Sequence, residues 1–206
     1  DKSFGGSSYE YLLTVIQTSD GGYLLGGYSA SGISGNKTTA SKGGEDYYVV
    51  RLDALGNKLW EKSFGGSNLD LMTCVIQTAD GGFLLGGYSY SGVSGDKTSP
   101  NDFVSADYWV VKIDASGNKE WDRSFGGSDT DQLFSLIQTL DGGYVLGGYS
   151  ISAISGNKTT ANFGGGDYWV VKIDSGGNKV WEKSFGGSGT DQLESLIQTS
   201  DGGLFL

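Results

Sequence analysis

The 206-residue chain contains no histidine, one cysteine, one proline and one methionine. Without histidine, the Ser-His-Asp and Cys-His nucleophile arrangements and the common zinc sites are excluded. A single cysteine, Cys74, permits no internal disulfide. Basic residues are few: 14 Lys and Arg stand against 24 Asp and Glu, a net charge of -10. Such a surface repels phosphate backbones, so no nucleic-acid partner is expected. No apolar run approaches the ~20 residues of a membrane-spanning helix, so no membrane insertion is expected. No signal peptide is visible. The chain begins inside a repeat, so it reads as a fragment of a larger array.

What is present is glycine, 37 residues of it, beside 13% aromatics. The aromatic and β-branched content argues against disorder, and no triplet period suggests collagen. The glycines come mostly in pairs next to apolar runs, the pattern of short strands joined by tight turns.

Internal repetition organises the whole chain. Ser-Phe-Gly-Gly-Ser begins at Ser3, Ser63, Ser124 and Ser184, at spacings of 60, 61 and 60 residues. Ile-Gln-Thr begins at Ile16, Ile76, Ile137 and Ile197, and Asp-Gly-Gly follows at Asp20, Asp80, Asp141 and Asp201. Gly-Gly-Tyr-Ser recurs at Gly26, Gly86 and Gly147. One array of about three and a half units results: 3–62, 63–123, 124–183 and a partial 184–206. Cys74 aligns with Thr14, Ser135 and Ser195, so its position simply takes a small residue.

Each unit predicts four strands, A to D, in the first unit near 12–18, 23–28, 47–53 and 58–64. The Asp-Gly-Gly strings supply the positive φ of an A–B hairpin. The C–D turn reads Asp53-Ala54-Leu55-Gly56-Asn57 and recurs at Asp114 and Asp174. The one-residue length difference falls between Gly95 and Asp107, in the B–C loop, where an insertion costs little. On strand A, the position of Leu12, Met72, Leu133 and Leu193 is always apolar and should face inward. Strand C is apolar on both faces, so both should be covered. The expected fold is therefore all-β, a β-propeller of four-stranded antiparallel blades of about 60 residues, with an open β-solenoid as the alternative.

At these residues the chain becomes familiar. Asp167-Tyr168-Trp169-Val170-Val171-Lys172-Ile173-Asp174, Gly177-Asn178-Lys179-Val180-Trp181, Ser184-Phe185-Gly186-Gly187, Asp141-Gly142-Gly143-Tyr144 and Gly147-Gly148-Tyr149 together resemble a repeat of large secreted proteins of Bacteroidetes. Those proteins often carry a sorting domain for type IX secretion. The resemblance spans the chain and implies export to the medium or cell surface; it brings no catalytic residues. Many members carry Asp-Gly-Asp in the B–C loop. Here the loop reads Ser34-Gly35-Asn36-Lys37-Thr38 and Ser94-Gly95-Asp96-Lys97-Thr98, with fewer carboxylates for a cation. The C–D hairpin also resembles the tryptophan-docking blade of quinoprotein-type propellers, with Trp60, Trp121 and Trp181 in the docking place, and Trp121 should be buried between neighbouring sheets; the likeness concerns the fold, and no cofactor is expected.

Acids that recur once or twice per unit do not form the single asymmetric constellation of an active site, so no enzyme is expected. Gln17, Gln77, Gln138 and Gln198 are read as structural amides joining neighbouring backbones. Two acid sets are the candidate ligand-binding residues: Glu10, Asp70, Asp131 and Asp191 before strand A, and Asp46, Asp107 and Asp167 before strand C. Both strand starts should share the face built by the long B–C and the D–A loops. The alternative is that these acids cap turns by accepting backbone N–H bonds. The functional reading is a secreted or cell-surface module holding a glycan or protein on that face. Alternatives are a purely structural spacer and a non-catalytic part of a secreted hydrolase. Apolar edges left by the partial unit point to self-association or completion by further blades.

Overall fold

The computed structural model describes residues 1–101 and 105–206; part of the predicted insertion in the second B–C loop, at 102–104, lies outside the described residues. Among the described residues there is no helix. Unit 1 holds β1 (Glu10–Gln17), β2 (Tyr23–Ser29), β3 (Asp46–Leu52) and β4 (Lys58–Phe64). Unit 2 holds β5 (Asp70–Gln77), β6 (Phe83–Ser89), β7 (Asp107–Ile113) and β8 (Lys119–Phe125). Unit 3 holds β9 (Asp131–Gln138), β10 (Tyr144–Ser150), β11 (Asp167–Ile173) and β12 (Lys179–Phe185). A two-stranded remnant, β13 (Ile197–Gln198) and β14 (Leu204–Phe205), follows. Each complete unit is one antiparallel sheet in the expected order A-B-C-D.

Turn chemistry sets these hairpins. Gly21 at φ +84° and Gly56 at φ +76° occupy left-handed positions that a side chain would strain. Asp53 Oδ1 accepts the amides of Leu55 and Asn57 at 2.9 and 2.7 Å, which closes the C–D turn. The A–B turn is tied to strand C by ion pairs, Asp20 to Arg51 at 2.6 Å and Asp80 to Lys112 and Asp141 to Lys172 at 2.9 Å.

Strand A carries a β-bulge. Register against strand B slips between Leu12 and Thr14 and between Met72 and Cys74, so one residue stands extra. The bulge explains a spacing that simple alternation forbids: Met72 and Val75, three apart, both face inward and are buried.

The sheets stack face to face. The trailing face of unit 1 (Leu24, Tyr47, Val49) and the leading face of unit 2 (Met72, Val75, Trp109) form one core, and units 2 and 3 repeat it. Strand C is buried on both faces as predicted, since β3 and β7 are buried at every residue. The Gly-Gly pair on strand B makes this stacking possible. A Cβ at Gly26 would collide with the Met72 methyl of the next unit, and one at Gly86 with Leu136 of its successor. Gln77 Oε1 accepts the Ser19 amide and Gln138 Oε1 the Ala79 amide, both at 2.8 Å, so these glutamines do join neighbouring backbones. Gln198 does the same for Leu140 at 3.3 Å.

Two expectations need correction. Leu12 does not face a core: it is 58% exposed while Met72 and Leu133 are fully buried, because no unit covers the leading face of unit 1. Trp60, Trp121 and Trp181 are only half-buried. Trp60 docks on the next unit, donating to the Ala115 carbonyl at 3.3 Å with its ring 6.2 Å from Phe83. The tryptophans enclosed between sheets are Trp109 and Trp169 on strand C.

Candidate functional site

The long-loop end of each unit is built around buried charge. Strand C and strand A both begin there. The first acid set lies at the strand A starts, where each acid accepts an amide of the Ser-Phe-Gly-Gly loop. Glu10 receives Gly6 N at 3.1 Å, Asp70 Gly66 N at 2.7 Å, and Asp131 and Asp191 receive Gly127 N and Gly187 N at 2.8 Å. Ser91 and Ser152 hydroxyls add bonds to Asp70 and Asp131 at 2.9 and 2.8 Å. The second set holds the B–C loop: Asp46 accepts Lys42 N at 2.6 Å and Asp167 accepts Phe163 N at 2.5 Å. Asp107 is buried at the equivalent place.

The two sets converge. A Cβ at Gly126 would strike Asp107 Oδ1 and stand 2.8 Å from Asp131 Oδ2, so one glycine lies over both carboxylates. Burial pushes the Asp46 carboxyl up to about 6, and the Asp70 charge adds to the effect. Burial likewise raises Asp131 to about 6, against hydrogen bonds from Ser150, Gly127 and Ser152. Asp46, Asp70, Asp107, Asp131 and Asp167 are all buried and Glu10 and Asp191 partly so; the five buried acids present no surface to a ligand. Their geometry is that of loop anchors, the turn-capping alternative.

Sequence reasoning missed the cations that complete this arrangement. Lys37, Lys97 and Lys158 are almost wholly buried. Lys37 Nζ donates to the carbonyls of Ser31 and Thr39 at 3.0 and 2.6 Å and lies 5.1 Å from the Tyr48 ring. Lys97 and Lys158 sit 5.6 and 5.8 Å from the Trp109 and Trp169 rings. Desolvation pulls Lys97 down to about 8, while Asp122, Asp70 and Asp107 pull the other way. A strand D acid closes each group: Asp122 accepts Thr98 N at 3.0 Å, Ser99 N at 2.9 Å and the Trp109 indole at 3.1 Å. The signal was available, since a lysine recurs in every B–C loop string and an aromatic recurs at position 48, 109 or 169 on the strand that follows that loop.

These charges fix a small hairpin in each B–C loop. Ser34 pairs with Lys37, Ser94 with Lys97 and Ser155 with Lys158, around glycines at φ +57°, +56° and +56°. Just before each hairpin stands an aliphatic residue pointing to solvent: Ile33, Val93 and Ile154, exposed by 68%, 65% and 64%. Among the described residues this is the one position where a large apolar side chain is exposed in all three complete units. Leu55, by contrast, is Ser116 and Gly176 in the other copies. A lone exposed aliphatic is ordinary, but the same one on three rigid tips forms a spaced apolar row.

Among the described residues no three His, Cys, Asp or Glu side chains gather to hold a metal. Burial lifts the Cys74 thiol to about 12, so it stays protonated.

No family model matches the chain. It is 25% identical over 164 residues to the regulatory protein FlaEY of Caulobacter vibrioides, a match that covers 76% of this chain and 17% of that protein. The chain thus spans about a sixth of the length of that curated relative. A crystal structure of a protein of unknown function from Bacteroides caccae is similar over 94% of this chain and 51% of that one, with 13% identity and a TM-score of 0.46.

Proposed function

We propose that the chain is a non-enzymatic binding module, a stretch of β-propeller or propeller-like array that holds a partner on its long-loop face. The observation that carries this reading is the row of Ile33, Val93 and Ile154 on hairpins pinned by buried lysines. Fixed tips lose little conformational freedom on binding, so each contact keeps most of its energy. Three equivalent tips on one scaffold act together by avidity. Aliphatic tips suit a protein partner first; a glycan would engage the hydroxyl-rich loop stems. The propeller reading rests on where the sheets meet. Contacts between units gather on strand A, with β5 against β1, β2 and β3, and β9 against β5, β6 and β7. Sheets whose backbones approach along strand A, while strand D reaches the next unit through long side chains such as Trp60, suit a radial stack.

Export to the medium or the cell surface is part of the proposal and rests on the resemblance of the repeats to secreted Bacteroidetes proteins. A spacer would need no exposed aliphatic row, and that row favours binding over the purely structural reading.

The test is retention of chain-coated beads on panels of immobilised glycans and extracellular proteins. Ile33→Asp, Val93→Asp and Ile154→Asp are introduced singly and together. Retention on at least one surface should fall stepwise with each substitution while the thermal midpoint holds. Retention on no surface, or retention indifferent to all three substitutions, refutes the reading.

A further inference from the structure

Units 1 and 2 enclose a cleft at the tight-turn end of their sheets, the end opposite the Ile33 and Val93 tips. Both faces that meet there lie inside the array. The cleft measures about 260 Å³ and is lined by Asp20, Arg51, Leu59 and Trp60 of unit 1 with Gln77 and Phe83 of unit 2. It thus joins an ion pair, an amide and two aromatic rings in one concave place, the mixture that small-molecule sites use.

These side chains are held in place by the protein itself. Asp20 Oδ1 accepts bonds from Thr18 Oγ1 at 2.6 Å, Gly22 N at 3.1 Å and Arg51 Nη2 at 2.7 Å. Gln77 Oε1 accepts the Ser19 amide at 2.8 Å, and the Trp60 indole donates to the Ala115 carbonyl at 3.3 Å. Capacity remains at two atoms. Asp20 Oδ2 accepts from Arg51 alone, on a side chain that is 65% exposed. Gln77 Nε2 has no hydrogen-bond partner among the described residues. Arg51 is occupied by Asp20 and by the Tyr23 and Leu52 carbonyls, so the cleft holds no free cation for an anionic ligand. At the second junction Glu120 stands where Leu59 does and reaches the buried Lys112 at 3.0 Å, which places a carboxylate on the matching wall.

We propose that this cleft binds a neutral pyranose, one hydroxyl donating to Asp20 Oδ2, another accepting from Gln77 Nε2, and a C–H face of the ring set against Trp60 and Leu59. A sugar presents that pairing, with hydroxyls around its rim and an apolar C–H face. A charged acceptor makes the stronger of the two hydrogen bonds, and the indole supplies a broad apolar surface. Because the protein already fixes Asp20, Gln77 and Trp60, little freedom is lost on binding. The exposed Asp20 carboxylate would repel a uronic acid. The site goes beyond the loop-tip reading and does not depend on it.

Ligand-observed NMR titration of the whole chain with the methyl glycosides of glucose, galactose, mannose and N-acetylglucosamine tests the proposal. At least one should bind with a dissociation constant of about 1 mM or tighter, and methyl glucuronide about tenfold more weakly than the tightest of them. Gln77→Glu keeps the acceptor for the Ser19 amide and removes the free donor. Leu59→Glu, at an exposed position, copies the wall that the second junction already carries. Each should weaken binding about tenfold or more, with circular dichroism confirming the fold. Gln138→Glu alters the matching bridge of the second junction and should leave the affinity at the parent's value. So should the triple loop-tip variant, which separates this site from the long-loop face. The proposal is overturned if no neutral glycoside binds or if the glucuronide binds as tightly as they do. It is also overturned if a folded Gln77→Glu or Leu59→Glu variant keeps the parent's affinity, or if Gln138→Glu or the loop-tip variant loses it.

Discussion

The Tyr47 phenol donates a 2.8 Å hydrogen bond to the main-chain carbonyl of Trp109, on the middle strand of the next unit. Tyr108 repeats it to Trp169 at 2.9 Å. In both cases an aromatic pair accompanies the bond, with ring centroids 4.7 and 4.8 Å apart. Sheet stacking here is thus specified by a directed polar contact inside an apolar joint.

Tyr108→Phe keeps the ring and leaves the buried Trp169 carbonyl without this donor. The expected loss is about 1–3 kcal/mol, read as a lower urea midpoint with unchanged slope. An unchanged midpoint would show that the bond contributes nothing net.

Gly86→Ala places a methyl where Leu133 and Leu136 already stand. Overpacking should destabilise by roughly 1–3 kcal/mol. Gly92→Ala, with nothing within 4 Å of the new Cβ, is the control and should be close to neutral in the same thermal melts.

Lys97→Met preserves the stem but removes the cation facing Asp70, Asp107 and Asp122. Removing one partner of a buried charge group costs roughly 3–5 kcal/mol. Hydrogen exchange should rise first at residues 94–99, with the strands of units 1 and 3 still protected. Uniform loss of protection would mean that the lysine serves the whole fold and not its own loop.

Acidity should first strengthen the fold. Asp46 and Asp131 titrate near 6 when folded and near 3.8 when unfolded, so between those values the folded chain binds more protons. Their contribution is fully present below about pH 3.8 and is lost as pH rises through about 6. The thermal midpoint should therefore climb from pH 8 to pH 5, and Asp46→Asn with Asp131→Asn should flatten that limb. Glu61 acts oppositely. Burial works against its charge, yet bonds from Thr38, Lys58 and Tyr48 hold it at about 2, so its contribution is lost as pH falls from about 4.5 toward 2. A midpoint that falls steadily from pH 8 to pH 5 would contradict the burial of the two aspartates.

The strands were legible because every hairpin turn is written four times or three times over, and strand D even has its predicted limits, 58–64. The glutamine bridges were legible because a polar residue beside a recurring isoleucine has to be paired with something. Burial was harder to read. Leu12 matches Met72 in sequence but not in surroundings, since burial depends on the neighbour a residue has and not on the residue itself. Trp121 looked like core and is half-buried, while Trp109, one of several apolar residues in a row, is fully enclosed. The acids were located at the right end of each unit, but their surroundings were missed. A Gly-Asn-Lys-Thr string taken alone reads as a solvated turn; only its recurrence ahead of an aromatic on the following strand hints that the lysine turns inward over that ring.

The socket made by Gly26, Gly86 and Gly147 has a further consequence. It receives a methionine in one junction and leucines in the others, with the backbones in the same register. A joint that tolerates such exchange treats its units as interchangeable parts. Unequal crossing-over in the coding sequence can therefore lengthen or shorten the array by whole units without a new interface having to evolve. Loop tips such as Ile33 and Val93 would then be copied along with the scaffold, so the number of exposed aliphatic tips on the long-loop face grows in step with the gene.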